Sequence, residues 1–116
     1  MPSAHEPGES IDAREAIALV AADKVWLLDV REPSEWVDGH VPEAHHIPMG
    51  DLGLRQDELP DDGTPIAVIC HVGGRSRMVT DSLVRADYAA IDVAGGMVAW
   101  QASGGNVVTG EVDGRS

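Results

Sequence analysis

Residues 65–86, PIAVICHVGGRSRMVTDSLVRA, contain the order of elements from which the fold is predicted. The stretch 65–70 is apolar and rich in β-branched residues, a pattern typical of a buried strand. From about residue 76 the apolar side chains recur at helical spacing, which predicts a helix to residue 86. A short loop that begins at Cys70, the only cysteine of the chain, joins the two. A strand, a glycine-containing loop and a helix in this order indicate an α/β protein.

The same alternation extends to both sides of this segment. Apolar or extended stretches predict further strands, which lie at 10–11, 24–30, 46–48 and 88–93. Helical periodicity and capping residues predict further helices, which lie at 13–21, 32–37, 51–59 and 97–101. Strands that alternate with helices along the chain predict a three-layer α/β/α fold, in which a parallel sheet lies between helices. In such a sheet ligands bind beyond the carboxyl ends of the strands, where Cys70 is expected.

The 116 residues suit one domain with one core. We expect residues 1–9 to be a disordered N-terminal segment, residues 10–102 to be the folded domain and residues 103–116 to be a loose C-terminal tail. Apolar residues make up 43% of the chain, which is enough for a folded core. Because the chain has no phenylalanine and few aromatic residues, we expect that core to consist of Val, Ile, Leu, Ala and Met.

The formal net charge of −12 argues against nucleic acid and anionic membranes as partners, since both require a basic surface. The longest apolar runs have about six residues, against the roughly 20 that a membrane-spanning helix needs. The N-terminus shows no secretion signal, and one cysteine forms no internal disulfide. We therefore expect a soluble, cytoplasmic protein. With no set of residues at metal-ligand spacing, we expect no metal and no cofactor.

The loop after the strand 65–70 combines features that make a thiol reactive. Helix N-termini and nearby cations favour the thiolate, which is the nucleophilic form of cysteine. Gly73 and Gly74 allow a tight turn whose N–H groups point inward as an anion site, and Arg75 adds a positive charge with two-point hydrogen bonding. The alternative is that Cys70 is a small, inert residue buried at a strand end. The combination of a cysteine, two glycines and an arginine between a strand and a helix favours the interpretation of Cys70 as a nucleophile over that of an inert buried residue.

Three segments in the same order resemble the single-domain rhodaneses, a family of thiosulfate and persulfide sulfurtransferases. LLDVREPSEWVDGHVPEAHHIP at 27–48 is similar to the family's segment with Asp-x-Arg, Gly-His, Pro-x-Ala and Ile-Pro. ICHVGGRSR at 69–77 is similar to its six-residue active-site loop, with arginine at the fifth position after the cysteine. VAGGMVAW at 93–100 is similar to its closing Gly-Gly-Met-x-x-Trp segment.

The resemblance implies a five-stranded parallel sheet and a persulfide chemistry, with the protein acting as a thiosulfate sulfurtransferase. Cys70 would take a sulfur atom from thiosulfate or a related small anionic donor and pass it to a thiol, cyanide or protein acceptor. The loop N–H groups would bind the transferred sulfur, and Arg75 would orient the donor with help from Arg31. The implied substrate-binding residues are His71, Val72, Gly73, Gly74, Arg75 and Arg31.

Other activities of the same fold stay open as alternatives. A sulfur carrier or a regulatory, protein-binding rhodanese domain would use the same loop, although regulatory domains often lack the cysteine that this chain keeps. Cysteine-dependent phosphatases of the cell-cycle type share the fold, but their loop is one residue longer than the four residues between Cys70 and Arg75. Arsenate reduction is a further branch, and the chain has no second cysteine to resolve its intermediate.

Asp87 departs from the family pattern. It follows the predicted helix at a position where many rhodaneses have glycine before an aromatic residue, here Tyr88. Glycine is favoured there because the residue after a helix often adopts the left-handed conformation, which other residues adopt at a cost. We therefore expect Asp87 to reduce local stability without affecting activity.

Overall fold

The computed structural model describes residues 5–110; parts of both predicted terminal segments, residues 1–4 and 111–116, lie outside the described residues. The strands are β1 (Ser10–Ile11), β2 (Trp26–Asp29), β3 (His45–His46), β4 (Ile66–Ile69) and β5 (Ala90–Val93). The α-helices are α1 (Ala13–Ala21), α2 (Pro33–Asp38), α3 (Gly74–Arg85) and α4 (Gly96–Ala102).

The strands form one five-stranded sheet in the order β1-β5-β4-β2-β3, and every neighbouring pair is parallel. The predicted α/β architecture with a five-stranded parallel sheet is therefore confirmed. β4 lies in the middle, between β5 and β2. Because all the strands run in the same direction, their carboxyl ends meet at one edge of the sheet, and Cys70 follows β4 at the centre of that edge.

Apolar side chains cover both faces of the sheet, and alternate residues of β4 belong to different clusters. Ala67 and Ile69 pack in one cluster, which includes residues of α1, α2 and α4. Ile66, Val68 and Cys70 pack in the other, with the apolar side of α3. The aliphatic core that was predicted is incomplete, because two of its largest members are tryptophans. They are Trp36 of α2, 3% exposed, and Trp100 of α4, 2% exposed.

Helix α1 begins as the sequence predicts. The carboxylate of Asp12 accepts a hydrogen bond from the N–H of Glu15 at 2.9 Å, which satisfies one free donor of the first turn. The second half of the predicted capping box does not form, because the Glu15 carboxylate binds Nε2 of His5 at 2.7 Å instead. The buried residues of α1, Ala13 and Ala16, are small, so the helix lies close to the sheet.

The predicted helix over 51–59 is wrong. Two short 3₁₀ helices, Met49–Asp51 and Gln56–Glu58, are joined there by a turn over residues 52–54. Glycine disfavours a continuous helix, and Gly53 lies inside the predicted one. Leu54, in the turn between the two 3₁₀ helices, is 90% exposed.

Residues 103–110, the described part of the segment expected to be a loose tail, are hydrogen-bonded to the domain. The backbone of Val108 exchanges two hydrogen bonds of 2.8 Å with His40. The Gly110 N–H donates to the carbonyl of Val37, and the indole N–H of Trp100 donates to the carbonyl of Asn106. This segment therefore packs across the loop that follows α2.

We predict that Asp87→Gly stabilises the protein. Asp87 follows α3 with a φ of 73°, which is the left-handed conformation expected from the sequence. Glycine removes the strain of a side chain at this φ, and we expect a gain of about 0.5–1 kcal/mol, which corresponds to a few degrees in the melting temperature. Ala86→Gly is the matched control, because Ala86 has an ordinary φ of −96° and should lose stability on substitution. A lower melting temperature for Asp87→Gly would contradict the prediction.

Candidate active site

Helix α4 fixes the loop that begins at Cys70. The N–H groups of Met97 and Val98 donate to the carbonyls of Cys70 and His71, at 2.8 and 3.1 Å. This approach requires glycine at Gly96, where an added Cβ would lie 2.4 Å from the Cys70 carbonyl oxygen and where φ is 58°. The Gly-Gly segment identified in the sequence is thus part of the site, since it locks the backbone on which the thiol stands.

The sulfur of Cys70 lies beneath the first turn of α3. The N–H groups of Gly73 and Ser76 point at Sγ, at 3.1 and 3.3 Å. Gly73 is the N-cap of α3, with a φ of 120°, and it has no side chain to accept the free N–H groups of the first turn. The Cys70 sulfur accepts hydrogen bonds from these N–H groups instead, as a serine or aspartate side chain does at the N-terminus of other helices. This arrangement favours a sulfur that carries negative charge.

The loop residues predicted to bind substrate surround this sulfur in different ways. Gly73 donates to it directly, whereas Gly74 begins the helix. His71 and Val72 are exposed at the rim, and Val72 is 61% exposed. Cys70 itself is only 1% exposed. The structure therefore brings the predicted loop together around the thiol, and a contact of each residue with substrate stays a prediction.

Ser76 and Asp92 complete the surroundings of the thiol, and the sequence analysis missed both. Ser76 Oγ lies 3.4 Å from Cys70 Sγ and 2.6 Å from Oδ1 of Asp92. Ser76 is fully buried and Asp92 is 4% exposed. A signal was available in the sequence: Asp92 is the one charged residue in a strand, AIDV, whose other members are apolar. A buried carboxylate needs polar partners, so such a residue indicates a polar site beside the strand.

Arg75 forms a two-point ion pair across the site. Its guanidinium nitrogens donate to the two carboxylate oxygens of Glu35 in α2, at 2.7 and 2.9 Å. Hydrogen bonds from Arg75 lower the pKa of Glu35 to about 2, and the same pair raises the pKa of Arg75. The side chain predicted to orient an anionic donor is therefore engaged by a carboxylate in this structure.

Arg31 occupies a position behind this ion pair. It is 4% exposed, and its guanidinium binds the buried Asp29 carboxylate at 2.8 and 3.0 Å. It also donates to the backbone carbonyls of Gly39 and Glu35. These bonds give Arg31 a structural role, since they connect the end of β2 to α2 and to the C-cap residue Gly39. The predicted contact of Arg31 with substrate stays a prediction.

A cavity of about 230 Å³ opens beside the loop. Its lining includes two acids of α2, Glu35 and Asp38, together with residues of α4 and His71 of the loop. The complete lining is Arg31, Glu35, Asp38, Gly39, His71, Met97, Val98 and Gln101.

The histidine pair at β3 is engaged in stacking. His45 stacks on Trp26 at 4.1 Å between ring centroids, and His46 stacks on Trp36 at 4.6 Å. Within residues 5–110, no group of three or more His, Cys, Asp or Glu side chains is placed to hold a metal ion. Over the same residues, no helix is both long and apolar enough to cross a membrane.

A central parallel strand that ends in a buried cysteine beneath a helix N-terminus defines a class of α/β proteins with a cysteine loop. The model of the rhodanese-like domain matches residues 12–103, and the chain belongs to this family. This chain is 37% identical over 81 residues to YtwF of Bacillus subtilis, and the alignment covers 70% of this chain and 78% of that protein. It is 31% identical over 94 residues to a sulfurtransferase of Allochromatium vinosum, which covers 80% of this chain and 87% of that protein.

Solved structures agree with this assignment. The crystal structure of a rhodanese-related protein from Thermoplasma volcanium superposes with a TM-score of 0.80 at 32% identity. The match covers 86% of this chain and 97% of that one. The resemblance seen in the sequence is therefore confirmed as family membership.

We predict that Glu35→Gln lowers the free energy of unfolding by about 1 kcal/mol at neutral pH, because this partly exposed pair loses its charge. The folded-state pKa of Glu35, about 2, lies below its ordinary value of 4.5. The stabilisation is therefore complete above pH 4.5 and is lost as the pH falls toward 2. Urea unfolding of both proteins across this range should show a stability difference that shrinks on acidification.

Asp38→Asn is the matched control for this prediction, since it removes an exposed acid from the same helix. It should show no comparable acid-dependent loss of stability. A Glu35→Gln effect that stays constant down to pH 2 would contradict the ion-pair explanation.

Proposed function

We propose that the protein is a sulfurtransferase that moves sulfane sulfur from thiosulfate, or a related small anionic donor, to a thiol or cyanide through a persulfide on Cys70. The observation that carries this proposal is the pair of N–H groups, from Gly73 and Ser76, that point at the Cys70 sulfur. They stabilise negative charge on this atom, which Sγ carries as the attacking thiolate of the first half-reaction and again as the leaving thiolate of the second. The scheme needs no metal or cofactor, and it needs a free thiol, which fits a reducing compartment such as the cytoplasm.

In the first half-reaction the Cys70 thiolate attacks the outer sulfur of thiosulfate. A bond forms between the two sulfur atoms, the bond between the outer and the central sulfur of the donor breaks, and sulfite leaves with the electron pair. The product is Cys70–S–S⁻. The position of Sγ at the N-terminus of α3 supports this step, because the thiolate is the attacking form.

In the second half-reaction an acceptor thiolate or cyanide attacks the outer sulfur of the persulfide. The bond to Cys70 Sγ breaks, and Sγ leaves with the electron pair as a thiolate. The same two N–H groups, from Gly73 and Ser76, stabilise this leaving group. One loop therefore serves the nucleophile of the first step and the leaving group of the second.

The carrier alternative also has a specific observation in its favour. Val72 and Val98 are 61% and 50% exposed, and Val98 is bonded to the loop through the His71 carbonyl. Exposed apolar side chains at the rim of a site suit contact with a protein surface. The acceptor of Cys70 sulfur in this alternative is a thiol on a partner protein, and the chemistry at Cys70 is unchanged.

We predict that incubation with thiosulfate adds the mass of one sulfur atom to the protein and that cyanide then removes it. Cys70→Ser should give no adduct, because the hydroxyl is a poor nucleophile at neutral pH. Intact-mass spectrometry of both proteins provides the measurement. An adduct that persists in Cys70→Ser would overturn the assignment of the nucleophile. Hydrolysis of an aryl phosphate by the unmodified chain, without any sulfur adduct, would favour a phosphatase.

We predict that Arg75→Lys reduces kcat/KM for thiosulfate by about tenfold, which corresponds to one lost charge-assisted hydrogen bond. Lysine is a point charge and cannot bind a carboxylate or an oxyanion at two points. Arg85→Lys, an exposed substitution at the other end of α3, is the matched control and should leave the kinetics unchanged. Circular dichroism checks that both variants fold. Equal kinetics for Arg75→Lys and the natural protein would mean that Arg75 acts only through its bond to Glu35.

A further inference from the structure

Cys70, Ser76 and Asp92 form a buried hydrogen-bonded series that the persulfide scheme does not use. The thiol donates to Ser76 Oγ at 3.4 Å, and the Ser76 hydroxyl donates to Oδ1 of Asp92 at 2.6 Å. Ser10 Oγ donates to the other oxygen of Asp92 at 3.1 Å. The three central side chains are between 0 and 4% exposed, so water does not replace these bonds.

The direction of these bonds follows from the single hydrogen of the Ser76 hydroxyl. Two acceptors lie within its reach, the carbonyl of Gly73 at 3.2 Å and the carboxylate of Asp92 at 2.6 Å. The carboxylate is both closer and charged, so the hydrogen goes to Asp92. The lone pairs of Ser76 Oγ then face the Cys70 sulfur. A lone pair stabilises a sulfur that carries a proton and opposes a thiolate, in contrast to the two N–H groups of the loop.

Asp92 forms no direct ion pair among those that the structure describes for residues 5–110. Arg77 reaches its carboxylate through the Ser10 hydroxyl, which accepts from the guanidinium at 3.1 Å and donates to Asp92 at 3.1 Å. A second negative charge at Cys70 would therefore be formed close to a buried anion. With the Ser76 hydrogen able to bind only one of the two anions, the ionisations of Cys70 and Asp92 must be coupled.

We propose that Asp92 controls the protonation of Cys70 through Ser76. Only the role of this control in catalysis rests on the proposed sulfur transfer. While Asp92 is ionised, Cys70 stays a thiol. The thiolate forms when the S–H bond breaks toward Ser76 Oγ and the Ser76 O–H bond breaks toward Asp92, so that one proton in total arrives on the carboxyl. The Ser76 hydroxyl then points at Sγ as a third donor, beside the N–H groups of Gly73 and Ser76.

For sulfur transfer, this makes Asp92 a positioning residue that stores the thiol proton. Asp92 receives the proton when Cys70 becomes the nucleophile, and it keeps the proton while Cys70 carries the second sulfur atom. It returns the proton when Cys70 leaves as a thiolate after transfer. The proton and the charge balance in each half-reaction, and no group outside this series is required.

The other charged groups around the series come from α2, α3 and the loop. Arg75 lies near enough to interact electrostatically with Cys70, and Glu35 binds it from α2. Arg77 is bound to Asp81 on α3, and His71 is exposed beside Cys70. A variant of Asp92 leaves the charge of each of these groups unchanged, so it isolates the contribution of the Asp92 charge.

The test is Asp92→Asn, which keeps the size of the side chain and removes its charge. An asparagine NH₂ group can donate to Ser76 Oγ as a protonated Asp92 would, which leaves the Ser76 hydroxyl free to donate to the sulfur. Iodoacetamide should therefore alkylate Cys70 about tenfold faster at neutral pH in this variant, as expected for a one-unit shift of the alkylation profile. Asp61→Asn, which changes the same charge at an exposed site, is the control and should alkylate as the natural protein does.

A second measurement uses the natural protein and needs no change at Asp92. Because coupling between two sites is reciprocal, the ¹³C signal of the Asp92 carboxyl should shift in the pH range where Cys70 ionises. This shift should be absent in Cys70→Ser. An Asp92→Asn variant that alkylates at the natural rate or more slowly would overturn the proposal, as would an Asp92 signal that is unaffected by Cys70→Ser. Both readouts work without a sulfur donor, so they are independent of whether thiosulfate loads the protein.

Discussion

The Cys70 sulfur accepts hydrogen bonds from N–H groups of the first turn of α3, and the remaining features of the site depend on this contact. A helix N-terminus has free N–H groups that require an acceptor, and Gly73 at the N-cap supplies none. The sulfur can reach them only if the chain turns sharply after β4, which the φ of 120° at Gly73 allows. The loop must also be held from the other side, where the absence of a side chain at Gly96 lets α4 bind the Cys70 carbonyl. A structural requirement of the helix and a chemical requirement of the thiol are thus met by the same bonds.

The positive character of this site comes from backbone N–H groups more than from its arginines. The chain has a net charge of −12, and the arginines around the loop are paired with acids. Arg31 binds Asp29, Arg75 binds Glu35 and Arg77 binds Asp81. A small dianion that approaches Arg75 must compete with Glu35 for the guanidinium, and the lining of the adjacent cavity includes two acids. The backbone donors remain available to the sulfur atom whatever happens at Arg75, so in the proposed scheme the Cys70 thiolate is stabilised without a free cation.

Much of this architecture could be predicted from the sequence, because it is encoded by local patterns. The alternation of apolar strands and amphipathic helices predicts the parallel sheet, and Cys70 with Gly73 and Gly74 predicts the position of the loop. The predicted helix over 51–59 is wrong because its apolar residues match a helical period although Gly53 disfavours a continuous helix. Ser76 and Asp92 were missed for a different reason. They are 16 residues apart and meet only when β5 pairs with β4 and α3 packs on both, which no local pattern reveals.

The two kinds of bond at the Cys70 sulfur favour opposite protonation states, and this opposition suits an atom with two tasks. The N–H groups of Gly73 and Ser76 stabilise the thiolate, whereas the Ser76 oxygen, fixed by Asp92, stabilises the thiol. A sulfur that was always ionised would be the more easily oxidised one, since oxidation follows thiolate character. A sulfur that was always protonated would be neither a good nucleophile nor a good leaving group. Because a hydroxyl can either accept or donate a hydrogen bond, Ser76 can support both states without moving, and the charge on Asp92 determines which of them it supports.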